Sequence, residues 1–165
     1  MTEPERAARE FLLADRRETV RTLLQCAKRV AEGWDDGSTD GPDSTDAPDP
    51  TGGRNSTTDR DSVVRPLSRE LRKTGLLERL PDLLSETVTA AGFSLQARPV
   101  PAPPYVAVTS RGPVLRATLP AGRLVVSFRL FDVVRDENAT REDGIRVRYV
   151  LGARDPEKVV SVELR

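Results

Sequence analysis

Residues 105–135 read YVAVTSRGPVLRATLPAGRLVVSFRLFDVVR, and along much of this stretch apolar residues alternate with polar or small ones. Alternation with a period of two is typical of a strand that buries one face. The short breaks RGP and PAG predict hairpin turns, and short connections join antiparallel neighbours. We therefore expect a β-meander of about five strands, at residues 105–110, 114–119, 123–135, 145–151 and 159–164, with a further short strand at 93–97.

Three other segments carry apolar residues at helical spacing. Residues 4–34 predict one long amphipathic helix, in which the charged group at 15–18 faces water. Two more helices are predicted after the Asp-rich segment, the first ending at Gly75 and the second at Gly92. Because one face of an antiparallel sheet is usually apolar and covered, the predicted fold class is α+β, with helices packed on one face of the meander.

Residues 35–58 read DDGSTDGPDSTDAPDPTGGRNSTT and contain almost nothing apolar. Such a segment buries too little surface to offset the entropy of ordering, so it predicts a disordered acidic linker. The window 35–62 holds eight Asp and two Arg, a charge of −6, which leaves +6 on the rest of a chain with zero net charge. The expected organisation is an N-terminal amphipathic helix at 1–34, the linker at 35–58, and a helical pair with the sheet at 59–165, which packs with 1–34 as one domain.

The amino acids that the chain lacks exclude several kinds of site. Without histidine it has no Ser-His-Asp or Cys-His triad and no histidine-bound zinc. Cys26 is the one cysteine, which excludes an internal disulfide and a cysteine-rich metal site. No run reaches the roughly 20 apolar residues of a membrane span, and the first ten residues are more charged than a signal peptide. We therefore expect a cytoplasmic protein that uses no cofactor.

A polar loop after the third strand carries Asp136, Glu137, Glu142 and Asp143, and Asp132 precedes it. Carboxylates in such a loop bind divalent cations in some proteins, so these residues are the best positions for a metal-dependent reaction. A solvated hairpin loop accounts for them better. No lysine follows a glutamate by two places, so the Glu-x-Lys pattern of many metal nucleases is absent. The sequence predicts no catalytic and no metal-binding residue.

Arginines are interleaved with the apolar residues of the predicted strands. Together with Tyr105 and Tyr149, whose rings could stack on bases, they would make an uncovered sheet face basic, as in some proteins that bind single-stranded nucleic acid. The alternative is that these side chains only keep the outer face of the sheet in solution. The candidate nucleic-acid contacts are Arg116, Arg123, Arg129, Arg146 and Arg148.

Several stretches resemble a small haloarchaeal family of uncharacterised proteins. The similarity lies in TTDRDSVVRPL at 57–67, GLLERLPDLL at 75–84, APPYVAVTSRGPVLRATL at 102–119 and GRLVVSFRLFDVVRD at 122–136. The long first helix and the Asp-rich linker fit the same resemblance, so it spans nearly the whole chain. It implies no activity, cofactor or site residue. The chain departs from the strong acidity of extreme halophiles, since it is near neutral outside its linker.

Three functions stay open at this point. The first is a non-enzymatic binding or protein-interaction module, whose first helix could leave on its linker and dock on a partner. The alternative for that helix is packing on the core, which deletion of residues 1–34 would test. The second is sequence-independent binding of nucleic acid through the arginine-bearing sheet face. The third is an enzyme that uses carboxylates with a metal. No membrane partner is expected.

Overall fold

The computed structural model describes residues 1–35, 56–136 and 146–165. Within these ranges the chain forms five helices and seven strands. The helices are α1 (Glu3–Ala14), α2 (Arg17–Asp35), α3 (Asp61–Lys73), α4 (Leu76–Ala90) and α5 (Pro156–Val159). The strands are β1 (Ser56–Thr57), β2 (Val106–Thr109), β3 (Gly112–Leu119), β4 (Gly122–Phe128), β5 (Phe131–Asp136), β6 (Arg146–Leu151) and β7 (Val160–Leu164).

The strands form two antiparallel sheets. One has four strands in the order β2-β3-β4-β7, and the other has three in the order β1-β6-β5. The predicted α+β class is confirmed, but the segment predicted as a single strand at 123–135 is divided between the sheets as β4 and β5. The chain turns at Leu130, whose side chain is fully buried and whose N–H donates to the Arg111 carbonyl 2.7 Å away. At this corner Leu130 and Phe131 are adjacent and both fully buried, and the chain passes from one sheet to the other.

The first 35 residues form two helices, so the prediction of one helix over 4–34 is wrong. Leu12 of α1 and Val20 of α2 are both fully buried. Eight residues of a continuous helix would keep these side chains within about 80° of each other around the axis, which is still one apolar face. The apolar spacing therefore does not reveal the turn at Asp15 and Arg16 that separates the two helices.

The turn between α1 and α2 is held against α4 by an ion pair. Arg16 donates from Nε to Oε2 of Glu86 at 2.7 Å and from Nη2 to Oε1 at 3.0 Å. The hydrogen bond from Arg16 is the main reason that the pKa of Glu86 lies below its usual value. The Arg16 guanidinium also lies 5.4 Å from the centre of the Phe11 ring. The charged group that was expected only to face water therefore joins two helices.

One buried cluster joins the helices to the inner face of the four-stranded sheet. It includes Leu115 and Leu124 from the sheet, and Ala8 and Leu12 from α1. Helices α2, α3 and α4 contribute to the same cluster, so the helices cover one face of this sheet. None of the helices in the described ranges has the length and the apolar composition that crossing a membrane requires.

Helix α1 lies along β7, at one edge of the four-stranded sheet. Its Glu5 side chain accepts a hydrogen bond from the Leu164 N–H at 2.6 Å and another from the Thr2 N–H at 2.7 Å. These two backbone hydrogen bonds, that from Leu164 first, lower the pKa of Glu5. The first turn of α1 therefore satisfies a backbone donor of β7 that no strand pairs.

The predicted acidic linker at 35–58 lies largely outside the described residues. Its last part is a correction to the prediction, because Ser56–Thr57 forms β1 and pairs antiparallel with β6. Nearby, the indole N–H of Trp34 donates to the Ser62 carbonyl at 3.0 Å, and its ring centre lies 5.5 Å from that of Phe131. The polar composition of Ser56 and Thr57 gave no sign of pairing, since the partner strand lies about 90 residues away in the sequence.

The segment between α4 and β2 forms no strand, although 93–97 alternates in the sequence. Gly92 has a φ of 94°, which few residues other than glycine adopt, and it ends α4. The next residue, Phe93, donates its N–H to the Val88 carbonyl at 3.0 Å. Phe93 and Leu95 pack partly against the core. The segment therefore lies beside the sheet, where it forms one wall of a surface groove.

Candidate nucleic-acid interface

The outer face of the four-stranded sheet is polar and basic. In β3 the buried residues alternate with exposed ones, and Arg116 and Thr118 point away from the helices. In β4 the same alternation places Arg123 and Val125 on this outer side. The alternation thus divides the sheet as the sequence predicts, with an apolar face toward the core and a face toward solvent.

The strand register brings two of the five candidate arginines together. Arg116 lies opposite Val125, and Thr118 lies opposite Arg123. Arg116 and Arg123 are therefore diagonal neighbours on adjacent strands, a relation that separates residues by about 7–8 Å. This spacing allows one extended ligand to contact both guanidinium groups.

A third arginine, which the sequence analysis missed, lies in the same row. The backbone N–H of Arg165 donates to the Arg123 carbonyl at 2.9 Å, and the Arg123 N–H donates to the Arg165 carbonyl at 2.8 Å. The two residues are thus directly opposite each other. The period-two pattern of β7, with Ser161 and Glu163 on the outer side, would have placed Arg165 there had the predicted strand been extended by one residue.

The three arginines differ in how they are paired. Arg165 binds Glu163 through Nε at 2.9 Å and Nη2 at 2.6 Å. Among the described residues, the side chains of Arg116 and Arg123 have no hydrogen-bond or ion-pair partner, and both residues are exposed. One carboxylate against three guanidinium groups leaves this face with a charge of about +2. Within the described ranges, Arg116 and Arg123 are therefore the arginines of this face whose guanidinium groups can bind an anion without first breaking an ion pair.

A groove of about 850 Å³ lies at one side of the arginine pair, between the sheet and the segment after α4. Its apolar lining includes Phe93, Leu95 and Tyr105, while Arg116 and Arg123 line its other side. A second, shallower hollow of about 780 Å³ continues over the outer face of β3 and β4 and shares both arginines. We call the outer side of β3, β4 and β7, with Arg116, Arg123 and Arg165, the arginine face, and we call the neighbouring hollow lined by Phe93, Leu95 and Tyr105 the aromatic groove. The two are continuous, because Arg116 and Arg123 line both.

The other three candidate arginines lie elsewhere. Arg129 is exposed beyond the end of β4, six residues from Arg123, or about 20 Å along the strand. Arg148 belongs to the three-stranded sheet, opposite Val134. Arg146 begins the same strand, and its side chain lies outside the described residues. The prediction that all five share one face is thus wrong for Arg146 and Arg148, because the strands divide into two sheets.

The two tyrosines are separated in the same way. Tyr105 lines the aromatic groove. Tyr149 lies in β6, opposite Val133 and Thr57, and packs partly against the core. Of the two tyrosines, Tyr105 is therefore the one that lies beside Arg116 and Arg123.

The acidic candidates form no metal site in the part of the chain that the structure describes, where no group of three potential ligands occurs. Asp132 is exposed on β5, opposite Val150. Asp136 ends β5, and its side chain lies outside the described residues, as do Glu137, Glu142 and Asp143.

Cys26 is fully buried in the helical layer. Burial raises the pKa of its thiol, and the Thr74 hydroxyl 3.9 Å away only partly offsets this effect. A thiol with a raised pKa is mainly protonated at neutral pH, which makes it a poor nucleophile.

Fold and surface together define a small α+β domain in which the described residues leave one basic sheet face exposed. The chain belongs to the family described as a domain of unknown function, DUF7988, whose model matches residues 6–165. Comparisons with curated proteins and with solved structures found no match.

Proposed function

We propose that this protein is a non-enzymatic binding module whose ligand is nucleic acid, held through its phosphates on the arginine face. The observation that carries the proposal is the pair Arg116 and Arg123, two exposed guanidinium groups on the sheet face opposite the helices, for which residues 1–35, 56–136 and 146–165 supply no hydrogen-bond or ion-pair partner. Guanidinium groups bind phosphate through paired N–H donors and keep their charge at any physiological pH.

Contacts with phosphate groups depend on the charge and the spacing of the phosphates and not on the bases, so they favour binding that is independent of base sequence. The third arginine supports the same conclusion, because the ion pair with Glu163 holds Arg165 on the outer side of the sheet beside Arg123. A phosphate chain that lies across the strands would meet these positive groups in succession.

The alternative, a module that docks on a protein through its detached first helix, receives less support from the structure. Leu12 and Val20 are fully buried, and both belong to the same cluster as the sheet residues. Releasing these helices would expose that cluster to water. A protein partner of the intact surface stays an alternative outcome of the experiment below.

The test is a salt titration of binding to a labelled single-stranded oligonucleotide, followed by fluorescence anisotropy. Each phosphate contact contributes about −0.7 to the slope of log K against log salt for single strands. Removing both unpaired arginines in Arg116→Gln/Arg123→Gln should reduce the steepness of that slope by about 1.4. Between about 50 and 200 mM salt, the wild-type protein should therefore lose about seven-fold more affinity than the variant.

The matched control is Arg65→Gln/Arg69→Gln, which removes two exposed arginines from α3, on the helical side of the sheet. It lowers the net charge by the same amount but should leave the slope close to that of the wild type. An equal change in both double variants would show a general charge effect and contradict binding at the arginine face. Binding of a protein but of no nucleic acid would favour the alternative.

The cytoplasm is the compartment that we propose for this activity. A single buried cysteine that forms no internal disulfide suits a reducing compartment, and nucleic acid is present there. The haloarchaeal source stays a prediction from the sequence resemblance.

A further inference from the structure

We infer that the aromatic groove beside the arginine face receives an unpaired nucleobase, so that the protein selects single strands over duplexes. This inference rests on the proposed function, because it assumes that phosphates lie on Arg116 and Arg123. It adds a second binding element of different chemistry, a stacking surface for a base.

The first support is continuity. Arg116, Thr118 and Arg123 line both the groove and the hollow over the sheet. A ligand bound to either guanidinium group is therefore already at the rim of the groove. In a nucleic acid the phosphate and the base are joined by one sugar, so a strand on the arginine face has bases within reach of the groove.

The second support is the lining of the groove. Tyr105 and Phe93 are aromatic, and both are only partly buried against the core, which leaves part of each side chain exposed at the surface. Flat aromatic surfaces stack on any base, since every base has a π-face. Ser94 and Gln96, both exposed, add hydrogen-bonding groups to the same wall.

The third support is that both aromatic residues are held in place before any ligand binds. The Tyr105 carbonyl accepts from the Arg116 N–H at 2.8 Å, which joins the stacking residue to a phosphate-binding residue through the backbone. Gly92, with its φ of 94°, directs the chain out of α4. The Phe93 N–H then donates a hydrogen bond to the Val88 carbonyl of that helix. A surface arranged in advance loses less entropy when the ligand binds.

The size of the groove agrees with this ligand. Its volume of about 850 Å³ is within the range of small-molecule sites, about 300–1,000 Å³. In a duplex the bases are stacked and paired inside the helix, and no base is free to enter such a groove without being flipped out. The occupant is therefore a base of a single strand, in DNA or in RNA.

The experiment compares four ligands of equal length on the full-length protein: a base-bearing single strand as DNA, the same strand as RNA, an abasic strand and a duplex. Stacking on one aromatic side chain changes affinity by about 5- to 150-fold. At least one base-bearing single strand should therefore bind at least about five-fold more tightly than the abasic strand and the duplex. Comparison of DNA with RNA identifies which sugar the site accepts.

Two variants identify the stacking residue. Tyr105→Leu keeps an apolar side chain but removes one of the two rings of the groove, so it should reduce the preference for base-bearing over abasic strands. Tyr105→Phe keeps the ring and should retain the preference for bases. Thermal unfolding of each variant checks that the fold is intact, and the four-ligand comparison on the wild-type protein stands without either variant.

Different results would refute base binding in the groove and phosphate binding on the arginine face. Equal affinity for abasic and base-bearing strands, with both lost in Arg116→Gln/Arg123→Gln, would overturn the base-binding groove and leave the arginine face intact. A base preference that is undiminished in Tyr105→Leu would also overturn the assignment of the groove. Absence of binding to every strand would refute the proposed function itself.

Discussion

Replacing Leu12 with alanine should destabilise the whole domain, although this residue lies in the first helix of the chain. Its side chain is fully buried in the cluster that α1 shares with the four-stranded sheet. The substitution removes three carbon groups, and at about 0.8 kcal/mol for each buried group the loss is about 2.4 kcal/mol. The cavity left behind adds to this, so we expect about 3 kcal/mol.

The assay is thermal unfolding followed by circular dichroism at two wavelengths, one for helix and one for near-ultraviolet tertiary signal. For a domain of this size, each kcal/mol lowers Tm by about 2–4 °C, so Leu12→Ala should lower it by about 6–12 °C in a single transition. Leu13→Ala is the matched control, since it makes the same chemical change at a partly buried position. Its effect should be clearly smaller, about 1 kcal/mol.

The result that would refute this reasoning is an unchanged Tm for Leu12→Ala with a loss of helical signal alone. That result would mean that α1 unfolds separately from the sheet. The detached-helix function would then regain the support that the packing of Leu12 now removes.

Three further predictions concern charge, backbone and reactivity. The Arg16–Glu86 pair should show a small favourable coupling in a double-mutant cycle, because its side chains are 40% and 42% exposed. Since the pKa of Glu86 is lowered, this coupling should be fully present above pH 4.5 and decline as the pH falls through the folded-state value. Gly112→Ala should cost at least about 2 kcal/mol in urea unfolding, because its φ is 140° and a Cβ would lie 2.0 Å from the Phe128 carbonyl oxygen. The Cys26 thiol should react with iodoacetamide far more slowly in the native protein than in urea, as followed by mass spectrometry.

Each of these has a control within the chain. For the ion pair, the Arg21–Glu18 contact is more exposed and longer, at 3.4 Å, and its cycle should give less coupling. For Gly112, the control is Gly33→Ala, where a Cβ meets nothing within 4 Å inside α2, so stability should rise by about 0.5–1 kcal/mol. For Cys26, similar alkylation rates in the native and unfolded states would contradict its buried position.

The α+β class could be predicted because helix and strand periods are local properties of the sequence. The division into two sheets could not, because β4 and β5 are both apolar and only two residues separate them. The adjacent apolar residues Leu130 and Phe131, both fully buried, shift the alternation by one position but do not show that the chain changes sheet. Long-range hydrogen bonds mark the corner, among them those that the Leu130 and Phe131 N–H groups donate to the Arg111 carbonyl. The break between α1 and α2 was missed for a related reason, since the partner of Arg16 lies 70 residues away, at Glu86.

The candidate interface was predicted in part. The alternation around Arg116 and Arg123 is enough to place both on the outer face, whichever sheet they belong to. Arg148 required knowledge of the strand order, which the sequence does not carry. The groove required the path of the segment after α4, which brings Phe93 to the same groove as Tyr105.

The contact between Glu5 and Leu164 has a consequence for how the molecules behave at high concentration. An edge strand with free N–H groups invites pairing with the edge of another molecule, which is a route to aggregation. At β7, α1 covers this edge, and the Glu5 carboxylate occupies one of its donors. Glu5→Ala should therefore leave the fold intact but promote association between the β7 edges of two molecules. The first turn of α1 thus limits self-assembly through β7.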